Sequence, residues 1–130
     1  MSYINRTVEL NAEPNTVYSW LTEAEHMQKW FADKVEHTED GMSFKWNMQD
    51  GGTIGFDAKI TVDDAPNKFA YKSIEDDSTV SSFELSADVD TTQLNLVESP
   101  FTDSEDDQAR MKEHEGGWDW FFSRLQQLAE

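Results

Sequence analysis

Apolar and polar residues alternate on both sides of the segment QDGG, and this two-residue period constrains the fold more than any other feature of the chain. Successive side chains of a β-strand point to opposite faces, so each run predicts a strand with one apolar face. The glycine-containing segment between the runs is typical of a hairpin turn. A sheet with an apolar face must bury that face against another element. The apolar residues are Met42, Phe44, Trp46 and Met48 before the turn, and Ile54, Phe56, Ala58, Ile60 and Val62 after it.

The last segment of the sequence, residues 104–129, predicts the covering element. Its apolar residues recur at helical spacing and form one stripe. A helix of this length is about 40 Å long at a rise of 1.5 Å per residue, which is enough to cross a sheet. The acidic residues of the segment DSEDD favour the positive end of the helix dipole. The stripe consists of Met111, His114, Trp118, Phe121 or Phe122, Leu125 and Leu128.

Local signals predict the remaining elements. YINRTVEL alternates as a strand, and AEPNTVYSWL indicates a short helix with Pro14 in its first turn that stops at Thr22. Glu25 follows Thr22 at the spacing of a capping box, which predicts a second short helix. Turn residues at 39–41, 49–52, 63–67, 75–78 and 88–92 then separate six strands. The order is strand, helix, helix, six strands and long helix, which predicts one α+β domain over residues 1–130.

The charge of the chain excludes two classes of partner. Twenty-seven acidic residues against ten basic ones give a formal net charge of -17. Such a charge repels the phosphates of nucleic acids and the anionic surface of membranes, so we expect neither as a partner. The acidic residues are spread along the chain, which favours solubility or adaptation to a salty environment over a dedicated basic partner.

The sequence also argues against several kinds of site and address. It has no cysteine, which excludes disulfides and thiolate chemistry. Neither an HExxH segment nor a calcium loop is present, so we expect no metal and no cofactor. The first residues do not form a cationic segment followed by an apolar run, and no stretch approaches eighteen apolar residues. We therefore expect a soluble, cytoplasmic protein, with its oligomeric state left open.

Two adjacent glycines lie inside the predicted long helix, in the segment HEGGWDWFF. A glycine inside a helix costs about 1 kcal/mol relative to alanine, so something else must favour the pair. Either a strand approaches the helix closely at Gly116 and Gly117, or the glycines leave room beside Trp118 for another molecule.

The order of elements and four short motifs resemble a known superfamily. The motifs are AEPNTVYSWLTEAEHMQKWF, DDAPNKFAY, TTQLNLVES, and HEGGW followed by FSRLQQL. Together they resemble the START-like, helix-grip superfamily, also called SRPBCC, and within it the family named for the activator of the heat-shock-protein-ninety ATPase. The resemblance covers nearly the whole chain.

The resemblance implies a fold and a range of functions. It implies a curved, seven-stranded antiparallel sheet wrapped around the C-terminal helix, with the two short helices closing one end and a cavity between helix and sheet. In this superfamily such cavities take lipids, sterols, polyketides or plant hormones. The eukaryotic co-chaperone carries an additional N-terminal docking domain, and this chain is long enough only for the smaller module, so a chaperone partner is the weaker expectation.

A cavity lined by apolar and aromatic side chains with a few polar groups is typical of small-molecule sites. By face and position, the candidates also fit an ordinary core. His114 lies on the helix stripe, where it is either a polar handle or acid–base group, or a core residue with satisfied hydrogen bonds. The candidates are Trp46, Phe56, Ala58, Tyr71, Phe83, Leu85, Met111, His114, Gly117, Trp118, Phe121 and Phe122.

Three functions are open from the sequence. The leading hypothesis is a domain that binds a hydrophobic small molecule without catalysis, with no catalytic residue assigned. The second is a co-chaperone-like or stress-related interaction module. The third is a cyclase or aromatase-like enzyme that uses His114 or an inward carboxylate. The alternation leaves open whether Glu84 and Glu98 point inward, and in a chain this acidic we expect both to face solvent.

Overall fold

The strands and helices occur in the predicted order. A computed structural model describes residues 2–74 and 79–129, so the turn predicted at residues 75–78 lies outside the described residues. None of the helices in the described part has both the length and the apolar character needed to span a membrane. The elements are β1 (Ser2–Leu10), α1 (Pro14–Thr22), α2 (Ala24–Trp30), β2 (Lys34–His37), β3 (Gly41–Asn47), β4 (Thr53–Asp64), β5 (Lys68–Ser73), β6 (Val80–Ala87), β7 (Thr92–Phe101) and α3 (Glu105–Leu128).

The strands form one curved antiparallel sheet in the order β1-β7-β6-β5-β4-β3-β2. The hairpin predicted around QDGG is confirmed, because Met42 pairs with Ala58 and Phe44 pairs with Phe56 across β3 and β4. Consecutive strands are neighbours except at β1, which joins the far edge by pairing with β7. The first and last strands of the sequence therefore lie side by side, and the α+β helix-grip prediction is confirmed.

Helix α3 lies along the β1 and β7 edge of the sheet and also contacts α2. Its inner side buries Trp118, Phe122 and Leu125, as the predicted stripe requires. Arg6 of β1 fixes the helix from the sheet side. Its guanidinium donates hydrogen bonds to Asp119 and Glu115 of α3, each with a donor–acceptor distance of 2.9 Å. These contacts hold one face of α3 against one edge of the sheet.

The two short helices cover one end of the core. Val17 and Leu21 of α1 and Met27 and Trp30 of α2 are buried. The predicted capping box is wrong, because Thr22 is still the last residue of α1. Its hydroxyl donates a hydrogen bond to the carbonyl of Tyr18, one helical turn earlier, at 2.9 Å. Helix α2 instead begins after Glu23, whose extended backbone is that of an N-cap but whose side chain makes no capping hydrogen bond.

The start of α3 is held by a local network of hydrogen bonds. Ser104 is the N-cap, and its hydroxyl accepts a hydrogen bond from the backbone N–H of Asp107 at 3.2 Å. The Asp107 carboxylate accepts hydrogen bonds from the backbone N–H and the hydroxyl of Thr102, both at 2.8 Å. These hydrogen bonds hold the pKa of Asp107 below its ordinary value, with a smaller contribution from the nearby Arg110.

The helix continues through Gly116 and Gly117 without a break. A Cβ atom added at Gly116 would have no described heavy atom within 4 Å, and one at Gly117 would reach the Phe121 ring at 3.7 Å, an ordinary contact. The interpretation that a strand approaches here closely is therefore wrong. A close approach occurs instead in the sheet, where a Cβ at Gly55 would lie 2.0 Å from the carbonyl oxygen of Phe44.

We expect Gly55→Ala to lower the free energy of unfolding by about 1–3 kcal/mol, because the new methyl group overlaps the neighbouring strand. Gly116→Ala is the matched control, and we expect it to raise stability by up to about 1 kcal/mol through helix propensity alone. Urea denaturation of both variants measures the difference. A Gly55→Ala protein as stable as the wild type would contradict the packing of β4 against β3.

Candidate functional site

A cavity of about 680 Å³ lies between the inner face of the sheet and helix α3. Its volume is within the range of about 300–1,000 Å³ that is usual for small-molecule sites. Strands β3 to β7 supply one wall, and α3 supplies most of the other, together with Phe31 at the end of α2. Three large apolar side chains at its border are exposed to solvent, namely Met48 at 45%, Ile54 at 58% and Trp120 at 62%. The cavity therefore opens to solvent through an apolar rim.

One end of the cavity is aromatic. Trp46 stacks on Phe56, with ring centroids 5.9 Å apart, and on Phe121, at 6.2 Å. Phe31, at the end of α2, stacks on Trp118 of α3 at 5.6 Å. The Trp46 indole is fixed by its N–H, which donates a hydrogen bond to the carbonyl of Phe31 at 2.7 Å. These rings form a rigid apolar surface because packing and a hydrogen bond both hold them.

The opposite end of the cavity contains a buried carboxylate. Glu98 of β7 lines the cavity and is only 4% exposed. Its Oε1 lies 2.5 Å from Nδ1 of His114. Its Oε2 accepts hydrogen bonds from the Ser81 hydroxyl at 2.6 Å and from the Trp118 indole N–H at 3.2 Å. A buried charge is tolerated only when hydrogen-bond donors satisfy it. Glu98 contacts the Ser81 hydroxyl of β6 and, on α3, the His114 imidazole and the Trp118 indole.

Two further polar groups line this end. Burial raises the pKa of the Tyr71 hydroxyl far above its ordinary value, and the charge of Glu98 raises it further, whereas a hydrogen bond between Tyr71 and Ser81 acts in the opposite direction. Tyr71 is therefore protonated at every physiological pH. The Arg110 guanidinium lies 4.7 Å from the centre of the Phe101 ring and donates a hydrogen bond to the Thr79 hydroxyl at 3.0 Å.

The structure brings seven of the twelve candidate residues to the cavity wall and places the other five elsewhere. The seven are Trp46, Phe56, Tyr71, His114, Gly117, Trp118 and Phe121. The wall formed by the described residues does not include the other five. Ala58, Phe83, Leu85 and Phe122 are buried in the core and Met111 is packed against it. Those five side chains lie on the apolar faces, as expected, but they belong to the core and not to the cavity wall.

The sequence reasoning missed the residue that organises the polar end. Glu98 was expected to face solvent, and that expectation is wrong. The available signal was the two-residue alternation of β7, in which Glu98 follows the buried Leu94 and Leu96 on the same face. Glu84, by contrast, is exposed and lies 3.5 Å from Lys68, as expected.

The polar end supplies the groups that acid–base chemistry would need, but no metal site. The cyclase-like alternative requires an ionisable group on the cavity wall, and Glu98 and His114 meet that requirement. Across residues 2–74 and 79–129 there is no cluster of three histidine or acidic side chains that could hold a metal ion.

Comparison with known proteins agrees with this architecture. A family model described as "Activator of Hsp90 ATPase homolog 1-like protein" matches residues 11–130. The chain belongs to this family. The matched region runs from before α1 to the end of the chain and includes every residue that lines the cavity. No match was found among curated protein sequences.

Solved structures of similar fold come from several bacteria. The chain is 22% identical to an Aha1 protein from Colwellia psychrerythraea, whose solution structure is a dimer, with a TM-score of 0.80 over 100% of this chain and 97% of that one. A protein from Chromobacterium violaceum is 15% identical, with a TM-score of 0.82 over 100% and 99%. A protein from Mesorhizobium loti is 19% identical, with a TM-score of 0.76 over 98% and 96%. At these identities the likeness concerns the fold alone.

We expect Glu98→Ala to lower the free energy of unfolding by about 2–5 kcal/mol, because it leaves the buried Ser81 and Trp118 donors without their acceptor. Glu84→Ala, on the neighbouring strand, is the control and should change stability by no more than about 0.5 kcal/mol. Urea denaturation with tryptophan fluorescence measures both. Equal, small losses would mean that Glu98 is not the acceptor on which the polar end depends.

Proposed function

We propose that the cavity binds a hydrophobic small molecule, either a lipid or an aromatic compound, and releases it chemically unchanged. The observation that carries this proposal is a cavity of about 680 Å³ with a rigid aromatic end and a single buried carboxylate whose donors all come from the protein. Apolar walls supply affinity, and a few polar groups orient the ligand. The exposed rim at Met48, Ile54 and Trp120 gains from being covered, because apolar surface is unfavourable in water.

The family relationship supports the proposal at the level of the fold. A START-like sheet wrapped on a helix is an architecture that encloses ligands, and this chain retains an open volume where one would lie. The structure also offers a way to block that volume without disturbing the core. Gly117 lines the cavity, and a side chain added there extends past Phe121 into open space. Gly116, one residue earlier, is exposed on the outer side of the helix.

We expect the wild-type protein to bind members of a panel of fatty acids, lysophospholipids and polycyclic aromatic compounds. A ligand present at 100 times its dissociation constant stabilises the folded state by about 2.7 kcal/mol, which a thermal-shift assay detects. Gly117→Leu should weaken or abolish the shift because the added side chain projects into the cavity and obstructs it. Gly116→Leu should bind normally, and both variants should be more stable than the wild type by up to about 1 kcal/mol without ligand.

Native mass spectrometry of the same samples identifies the bound compound and its mass. A ligand recovered unchanged after prolonged incubation supports binding without conversion, whereas a product of altered mass would support the enzyme alternative. Two results would overturn the proposal. One is the absence of any adduct or thermal shift across the panel, and the other is equal binding by the Gly116→Leu and Gly117→Leu variants.

The family description favours one second candidate, a co-chaperone-like module. The Colwellia psychrerythraea relative is an Aha1 protein, and a net charge of -17 would favour contact with a basic surface of a partner. We place such a module, and the small-molecule binder alike, in the cytoplasm. The two functions are separable because one uses the cavity and the other uses the outer surface.

If the chain is a co-chaperone, adding it to the purified Hsp90 of its own organism should raise the rate of ATP hydrolysis. Charge screening should weaken the effect as salt rises from about 0.01 M to about 1 M, because the Debye length falls from about 30 Å to about 3 Å. The Gly117→Leu variant, with its cavity obstructed, is the control and should stimulate as well as the wild type. An unchanged ATPase rate with the wild-type protein would eliminate this candidate.

A further inference from the structure

The polar end of the cavity contains a histidine whose two ring nitrogens differ in their surroundings. Nδ1 of His114 faces Oε1 of Glu98 at 2.5 Å. Nε2 has no hydrogen-bond partner among residues 2–74 and 79–129, although the side chain lines the cavity and is 39% exposed. The edge of the ring also packs against Phe101, with centroids 5.9 Å apart, so the ring is held in place.

If Glu98 is ionised, its contact with His114 fixes which imidazole nitrogen carries the proton. An ionised carboxylate accepts hydrogen bonds and donates none, so the Glu98–His114 contact requires a proton on Nδ1. Oε2 of the same carboxylate is already occupied by Ser81 and Trp118. In a neutral imidazole with its proton on Nδ1, the other nitrogen is a hydrogen-bond acceptor. While the imidazole is neutral, Nε2 of His114 is therefore an acceptor that has no partner among the described residues.

We propose that Nε2 of His114 accepts a hydrogen bond from the hydroxyl group of an aromatic alcohol bound in the cavity. This inference rests on the proposed function and names the class of ligand. Glu98 is the positioning residue, because it holds the tautomer and the orientation of the imidazole without contacting the ligand. The stacked rings of Trp46, Phe56 and Phe121 at the other end provide the surface on which the aromatic part of the ligand packs.

The charges near the cavity disfavour an anionic ligand. Glu98 and Glu113 both line it, and the chain carries a net charge of -17. Arg110, a cation on this wall, already interacts with the carboxylate of Asp107 at 3.4 Å and with Thr79. A neutral hydroxyl satisfies the Nε2 acceptor without bringing a second negative charge close to Glu98, and it avoids the cost of removing a charge from water.

Three probes of one shape test the assignment. They are 2-naphthol, which can donate a hydrogen bond, 2-methoxynaphthalene, which can only accept one, and 2-naphthoate, which is an anion. Isothermal titration calorimetry should show 2-naphthol binding about 3- to 10-fold more tightly than the methyl ether, the factor expected from one net hydrogen bond. Binding of 2-naphthoate should be the weakest of the three.

A conservative variant removes the acceptor but keeps the contact with Glu98. In His114→Asn the side-chain amide can still donate to the carboxylate, but the Nε2 position is lost. We expect this variant to bind 2-naphthol no more tightly than the methyl ether. Lys112→Asn, exposed on the same helix, is the matched control and should retain the wild-type preference. In the wild type, the ¹⁵N resonance of His114 Nε2 should be that of an unprotonated nitrogen and should shift when 2-naphthol binds.

The outcomes separate this inference from the proposal on which it rests. Equal affinities for 2-naphthol and its methyl ether, tighter binding of 2-naphthoate, or a preference retained in His114→Asn would overturn the role of His114 while leaving the cavity as a binding site. If none of the probes binds and the lipid and aromatic panel is also negative, the proposed function fails and this inference fails with it. If His114→Asn does not fold, the wild-type preference and the Nε2 resonance decide the matter.

Discussion

One helix cannot cover a sheet of seven strands, and the cavity follows from that mismatch. Strands lie about 4.8 Å apart, so seven of them span about 29 Å, whereas a helix with its side chains is about 10–12 Å wide. The ion pairs of Arg6 with Glu115 and Asp119 hold α3 at the β1 edge. From this edge α3 reaches the middle strands through long aromatic side chains such as Trp118, and an open space remains beside them.

The mismatch also explains the composition of the inner surface. Trp118 reaches across to Phe83, with ring centroids 5.6 Å apart, and Phe121 reaches Trp46. Aromatic side chains provide the largest contact area per residue, so a single helix can hold a curved sheet through a few of them. No strand approaches either glycine of α3; Gly117 lies on the cavity wall, and Gly116 is exposed on the outer side of the helix. No close contact with a strand compensates for their cost in helix propensity, and a side chain at Gly117 would take up space in the cavity.

The buried carboxylate organises the polar end of the cavity, opposite the aromatic end. Glu98 ties β7 to β6 through Ser81 and to α3 through His114 and Trp118. A molecule that entered past the exposed rim would meet aromatic rings at one end and hydrogen-bonding groups at the other. Members of a fold family can share the sheet, the helix and the cavity while differing in such polar groups, and function belongs to those groups rather than to the fold.

Much of the architecture could be predicted from the sequence because it depends on periodicity. The alternation around QDGG determined the β3–β4 hairpin and its register, and the helical stripe through Trp118 and Leu125 determined which side of α3 faces inward. The same reasoning found His114, since position on a stripe is a local property. It failed at Thr22, where the hydroxyl bonds back into α1, because the boundary between two adjoining helices is set by their packing.

Only the tertiary structure decided which of these residues form a site. Whether a side chain on an apolar face lines a cavity or fills the core depends on the distance between the helix and the sheet, and no local pattern contains that distance. Phe83 and Phe121 both lie on apolar faces, yet only Phe121 is on the cavity wall. Glu98 became tolerable inside because residues 17 positions before it and 16 and 20 after it converge on its oxygens. The sequence by itself determined the elements and their inner faces, whereas the partners that allow a charge to be buried came from strands and a helix brought together by folding.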